Sequence, residues 1–103
     1  MVKTITEQEF NEVLGSEIAV VDFFATWCGP CKMLGPVLEQ LSEEYTGKIN
    51  FFKIDVDEAE ETAAKYGIQS IPAVFAFKNG ELKDKQVGYN GKEGVKAFLD
   101  SLV

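Results

Sequence analysis

The amino-acid sequence predicts an α/β fold, a three-layer αβα sandwich around a mixed five-stranded sheet with element order βαβαβαββα. Three observations lead to this prediction. The 103 residues, 46% of them hydrophobic, are enough for one compact domain and too few for two. Apolar runs typical of strands alternate with segments of helical periodicity. Asn79-Gly80 between two later apolar runs is a strong hairpin signal. We therefore expect residues 1–103 to form a single domain.

The first half of the chain has the pattern strand, helix, strand, helix. Residues 2–5 predict a short strand, and Thr6 with Glu9 predicts a capping box for a helix that Gly15 would help to end. Residues 18–25 are almost continuously apolar, as in a strand buried on both faces at the centre of a sheet. The next helix ends near Gly47. Its buried stripe is predicted to consist of Leu34, Val37, Leu38, Leu41 and Tyr45.

The second half begins with the same alternation and then changes. Residues 49–56 predict a strand, and residues 58–66 predict a short acidic helix that Gly67 would end. Residues 73–77 and 82–87 predict two antiparallel strands joined by residues 78–81. A last helix presents Val95, Phe98, Leu99 and Leu102 on one face. Such a helix can cover the sheet, so helices are expected on both of its sides.

Charge and hydropathy exclude several classes of partner. A formal net charge of -7 repels nucleic-acid phosphates and anionic lipids. Residues 1–8 lack the apolar stretch of a secretory signal, and no run is long enough to span a bilayer. We expect a cytoplasmic, monomeric protein whose partners are other soluble proteins.

The two cysteines lie in the run Trp27-Cys28-Gly29-Pro30-Cys31-Lys32. In a reducing compartment, this spacing is more typical of redox catalysis or metal binding than of a structural bridge. The run follows the carboxyl end of a central strand and begins a helix, the crevice where open α/β sheets keep their sites. The helix dipole stabilises an anion there by about 0.3–2 kcal/mol, enough to make Cys28 a reactive thiol.

Two other interpretations of the cysteines remain open. A structural bridge closing a loop of about four residues would remove only about 2 kcal/mol of unfolded-chain entropy. A tetrahedral zinc site would need carboxylates or a second subunit, because the chain has no His and only two Cys. The entropy gain is smaller than that of typical structural disulfides, and the zinc site lacks ligands, so we expect no bound metal.

The segment from Val21 to Lys32, VDFFATWCGPCK, resembles the active-site stretch of the thioredoxin family. The resemblance continues, in the family's order and spacing, through nearly the whole chain. Its further motifs are Tyr66-Gly67-Ile68, Ser70-Ile71-Pro72, Phe77-Lys78-Asn79-Gly80 and Val87-Gly88. It implies the thioredoxin fold and a general protein-disulfide reductase that serves as an electron donor in cell redox homeostasis.

The resemblance also implies roles for the residues of the motif. Cys28 would be the nucleophile that forms a mixed disulfide with the substrate, and Cys31 the resolving thiol. The two would form a redox-active disulfide, Cys28–Cys31, after each turnover. Gly29 and Pro30 would tune the redox potential.

Two charged residues in predicted strands are further candidates. Asp22 lies in an apolar strand, where desolvation raises the pKa of a carboxyl. By resemblance it is the buried acid beneath Cys31 that accepts the resolving thiol's proton through water, and Lys53 modulates its titration. The alternatives are an Asp22 hydrogen-bonded to loop amides at a strand end, and a Lys53 whose stem covers apolar surface while its ammonium reaches water.

The family binds an extended substrate segment beside a cis-proline, by pairing with backbone in the manner of an added strand. Sequence physics alone favours a trans bond at Pro72, and apolar side chains near it are equally expected in a core. Trp27 likewise has an alternative position as a partly buried core residue. The predicted substrate-binding residues are Trp27, Val56, Ile71, Pro72 (cis), Val87 and Gly88.

No G-x-G-x-x-G phosphate loop is present, so we expect no cofactor, and electrons must arrive by dithiol exchange. The resemblance implies a thioredoxin reductase, linked to NADPH or ferredoxin, as the electron-donating partner. Departures from the family pattern leave partner preference open; they are Phe24, Gln69-Ser70 and Tyr89. The main alternative function is a non-catalytic binding subunit of a larger complex, and an oxidase or isomerase is a variant within the enzyme class.

Overall fold

The computed structural model describes residues 1–103, and its element order is βαβαβαββα as predicted. Two single 3-10 turns, Glu7–Glu9 and Glu43–Tyr45, flank the helices. The strands are β1 (Val2–Thr4), β2 (Ile18–Phe24), β3 (Asn50–Asp55), β4 (Ala73–Lys78) and β5 (Glu81–Val87). The helices are α1 (Asn11–Leu14), α2 (Gly29–Ser42), α3 (Glu60–Lys65) and α4 (Lys92–Asp100).

One mixed sheet carries the five strands in the order β1-β3-β2-β4-β5. The pairs β1·β3 and β3·β2 are parallel, and β4 runs antiparallel to both β2 and β5. The β4–β5 turn consists of Asn79 and Gly80, whose φ angles of 50° and 84° suit a type I′ hairpin turn. The predicted mixed sheet and hairpin are therefore confirmed.

Strand position in the sheet follows strand composition. The apolar strands β2 and β4 are central and almost completely buried, whereas β5 forms an exposed edge. Lys83, Asp84 and Lys85 supply that edge with charge, which disfavours pairing with a further strand.

Alternation along the strands divides the core into two layers. One face of the sheet packs on α2 and α4, with Val20, Val74 and Leu99 fully or almost fully buried. The other face packs beneath α1 and α3 in an aromatic-rich cluster that includes Phe23 and Phe77. Since residues two apart share a face, Asp22 lies on the side of Val20 and faces α2.

Two helix starts differ from the predicted ones, one beside a local contact and one beside a long-range contact. The segment after Thr6 begins as a 3-10 turn in which the Thr6 amide donates to Oε1 of Glu9 (3.0 Å), and α1 follows only at Asn11. In α3, the Thr62 amide donates to Oε1 of Glu7, 55 positions earlier (2.7 Å). None of the helices has the length and hydropathy to cross a bilayer.

Candidate active site

The cysteine pair occupies the first turn of α2, just beyond the carboxyl end of β2. Cys28 is the N-cap residue with extended backbone (φ −87°, ψ 114°), and Gly29 and Pro30 open the helix. Proline fits there because the first helical N–H groups have no intrahelical acceptor. Cys28 and Cys31 are joined by a disulfide, with Cα atoms 5.3 Å apart.

The sulfur of Cys28 is itself the cap of the helix. It accepts a hydrogen bond from the amide of Cys31 (3.2 Å). Both cysteines are 5% exposed and pack with Ala25, while partly buried Val56 and Ile71 border the cluster. A thiolate at this sulfur would therefore receive an N–H donor and the positive end of a 14-residue helix.

The loop before β4 approaches the disulfide from the other side. The Cys28 sulfur lies 3.9 Å from the carbonyl oxygen of Ile71, and the Ile71–Pro72 peptide bond is cis. The amide of Gly88 donates to the carbonyl of Pro72 (2.8 Å), which attaches the loop to the end of β5. The backbone around Ile71 is thus held beside the reactive sulfur.

Of the predicted groove residues, Val56 and Ile71 border the cysteines, and Val87 lies next to the loop at Gln69 and Ser70. Val87 is 56% exposed and belongs to no core cluster. Core packing therefore does not explain Val87, whereas Val56 and Ile71 are only partly exposed.

Trp27 is an exposed rim residue, so the alternative of a partly buried core tryptophan is wrong. Its side chain is 69% exposed, and Nε1 donates to Oδ2 of Asp57 (2.8 Å). Asp57 is not among the residues predicted from the sequence. The sequence does place the Asp57 carboxylate just after β3. The carboxyl ends of parallel strands lie at the same sheet edge, which is also where the cysteine loop begins, so a contact with Trp27 could have been expected.

Asp22 is buried, with 2% of its surface exposed and no hydrogen-bond partner for Oδ1. The alternative, an Asp22 hydrogen-bonded to loop amides, does not apply to Oδ1, which has no hydrogen-bond partner. Burial raises the pKa of Asp22 to about 7, and the positive charge of Lys53 opposes that rise. The carboxyl can therefore exist in either protonation state near neutral pH.

Lys53 lies directly across from Asp22 in the β2–β3 register. Its Nζ lies 5.8 Å from the ring centroid of Phe24. Both charged residues and Cys31 line a cleft of about 500 Å³ between the sheet and α2, here named the Asp22 cleft. Its other lining residues are Val2, Phe24, Ala25, Thr26, Lys32, Gly35, Pro36, Leu38 and Glu39. The structure thus brings Asp22, Lys53 and Cys31 to one cavity.

Comparison with known proteins agrees with this geometry. The family model described as Thioredoxin matches residues 1–101. The chain is similar to the thioredoxins of Staphylococcus epidermidis and Staphylococcus haemolyticus, 50% identical to each, and to that of Staphylococcus aureus, 49% identical. Each match spans 96 residues, 93% of this chain and 92% of the relative. The chain therefore belongs to the thioredoxin family, and its Cys28–Cys31 pair makes it a dithiol–disulfide oxidoreductase.

Proposed function

We propose that residues 1–103 form a single domain that works as a general protein-disulfide reductase, donating electrons through the dithiol form of Cys28 and Cys31. The observation that carries the proposal is the position of the Cys28 sulfur. It caps a helix, accepts a hydrogen bond from the Cys31 amide and lies beside the Ile71 carbonyl. The helix start and the Cys31 amide favour a thiolate at this sulfur, and the Ile71 backbone lies where a substrate can approach it.

In the first step, the Cys28 thiolate attacks one sulfur of a substrate disulfide. A bond forms between Cys28 and that sulfur, the substrate S–S bond breaks, and its other half leaves as a thiolate. The result is a mixed disulfide. Gly29 and Pro30 set the geometry of the turn and thus the potential of the pair.

In the second step, the Cys31 thiol gives its proton to the Asp22 carboxylate, with water in the Asp22 cleft as the bridge. The Cys31 thiolate then attacks the Cys28 sulfur, forms the Cys28–Cys31 disulfide and expels the second substrate thiolate. A pKa near 7 supports this role, because a carboxyl with that value can take up and release a proton at neutral pH. Lys53 stabilises the ionised form of the acid.

The substrate segment is proposed to lie in extended form along the backbone of Ile71 and cis-Pro72. Trp27, held by Asp57, forms one side of the site. Val56, Ile71 and Val87 supply the apolar contacts. Gly88 has no side chain, so it does not obstruct the substrate segment. This mode uses main-chain hydrogen bonds, which suits a protein that accepts many sequences.

The oxidised protein needs an external dithiol, for which we propose a thioredoxin reductase linked to NADPH or ferredoxin. A cytoplasmic location fits this cycle, because that compartment keeps thiols reduced. We propose that the protein acts as a monomer, with the charged β5 edge disfavouring strand pairing between copies.

Insulin reduction with dithiothreitol tests the activity. The native chain should accelerate precipitation of the insulin B chain, and Cys28→Ser should match dithiothreitol alone. The matched variant Cys31→Ser should accumulate a mixed disulfide visible by mass spectrometry. A native chain that adds nothing to the dithiothreitol rate would overturn the proposal and leave the binding-subunit alternative.

The direction of electron flow needs a separate measurement, namely the equilibrium of the cysteine pair with glutathione. A potential more negative than the glutaredoxin range of about −200 to −230 mV is expected for a reductase. A value of about −120 to −180 mV would instead indicate an oxidase or isomerase.

A further inference from the structure

The Asp22 cleft has a wall formed by two elements that are not paired with each other. Val2 of β1 lines one side, and Pro36 and Glu39 of α2 line the other. Pro36 and Glu39 are exposed, so this is the side of the cleft that faces solvent. Water can therefore enter the cleft between β1 and α2.

The group that depends on this water is Asp22. Its Oδ1 is buried without a hydrogen-bond partner, and burial is the largest cause of its raised pKa. An unpartnered carboxyl oxygen in a cleft gains stabilisation from each water that reaches it, and the ionised form gains most. The protonation of Asp22 is thus sensitive to the width of the cleft.

Beyond the cleft, the Met1 ammonium donates to Oγ of Ser42 in α2 (2.6 Å), and within the cleft lining a single side-chain contact joins the two elements. Oε2 of Glu39 accepts a hydrogen bond from the amide of Val2 (3.0 Å). The strand it holds is short, since β1 has three residues and pairs only with β3 at the edge of the sheet. On the α2 side of the cleft, Gly35 and Pro36 have little or no side chain to reach across, and among the lining residues Glu39 is the one with a hydrogen bond to β1.

We infer that Glu39 is a positioning residue for the redox reaction: by holding the start of β1 against α2, it limits the access of water to Asp22. The inference rests on the proposed role of Asp22 as the proton acceptor for Cys31. Loss of the contact widens the cleft, hydrates the carboxyl and makes it a weaker base for the resolving step.

Other charged groups face the same carboxyl and must be separated from this effect. β3 contributes Lys53, and α2 contributes Lys32 and Glu39 together with Cys31. Ahead of β1, the Met1 ammonium lies 3.9 Å from Oε1 of Glu39. β4 places apolar Val74 beside Asp22. The negative charge of Glu39 would itself disfavour ionisation of Asp22, so its hydrogen-bonding and its charge need different variants.

The test is a carbon-13 NMR titration of the Asp22 side-chain carboxyl in the oxidised protein, in the native chain, Glu39→Ala and Glu39→Gln. Glutamine keeps an oxygen that accepts from the Val2 amide but has no charge. Glu39→Ala should lower the titration midpoint by about one pH unit, a fraction of the full desolvation effect. Glu39→Gln, which loses the charge but keeps the hydrogen bond, should lower it by clearly less.

Equal shifts in both variants would assign the effect to charge and overturn the inference, as would an unshifted Glu39→Ala. The titration involves no turnover, so its result does not depend on whether the proposed function is correct. Insulin reduction by Asp22→Asn tests that function separately. A fully active Asp22→Asn would remove Asp22 from the mechanism without altering what the titration shows about water access.

Discussion

Replacing Asp22 by asparagine should change how the stability of the oxidised protein depends on pH. The carboxyl has an ordinary pKa of 3.8 and a folded-state pKa of about 7. Between those two pH values, the folded protein holds a proton that the unfolded chain has released. Stability therefore falls by about 1.4 kcal/mol for each pH unit of rise. The favourable contribution is complete below pH 3.8 and is lost as the pH rises through 7, a total of about 4 kcal/mol.

Asparagine has no proton to lose, so the free energy of unfolding of Asp22→Asn, relative to the native chain, should rise by about 4 kcal/mol between pH 4 and pH 8. Urea unfolding followed by circular dichroism at closely spaced pH values measures this difference. Asp84→Asn, on the exposed strand β5, is the matched control for removing a carboxylate away from the cleft. If the difference for Asp22→Asn does not change with pH, Asp22 ionises in the fold as it does in water, and the reasoning from burial is refuted.

Three further outcomes follow from individual contacts. Asp57→Ala should raise the KM for insulin several-fold with kcat nearly unchanged, because Trp27 loses its hydrogen-bond acceptor; an unaltered KM would show that the contact does not orient the indole. Glu7→Ala should lower the free energy of unfolding by about 1 kcal/mol, since the Thr62 amide loses its cap, and urea titration would reveal no change if water replaces it. Gly80→Ala should cost about 1–2 kcal/mol, because its φ is +84° and the new Cβ would lie 3.0 Å from a carbonyl oxygen of α1; a melting temperature equal to that of the native chain would contradict this.

The parts of the fold that were predictable are those determined by neighbouring residues. The continuous apolar run of β2 requires burial on both faces, and Asn79-Gly80 favours one kind of turn, so the centre of the sheet and its hairpin followed from local sequence. The boundaries of α3 did not. Its early amide is capped by Glu7 from a distant segment, and no local pattern reports such a contact.

The candidate site divides in the same way. Desolvation of Asp22 was predictable because a carboxyl in an almost continuously apolar strand is buried together with its neighbours. That Lys53 faces it directly depends on the parallel register of β2 with β3, which the sequence leaves undetermined without a turn to set it. The hydrogen bond from Trp27 to Asp57 likewise joins segments 30 residues apart.

The sulfur that caps α2 is also the atom whose bonding changes in every turnover. The stability of the first helical turn therefore depends on the redox state of Cys28. As a thiolate, Cys28 is the strongest acceptor the Cys31 amide can have, and as a member of a mixed disulfide it is neutral and a weaker one. The first turn of α2 should therefore be looser in the intermediate than in the dithiol form, at the stage when Cys31 has to move toward its partner. Hydrogen exchange at the Cys31 amide, compared among the dithiol, the disulfide and a trapped intermediate, would follow that loosening directly.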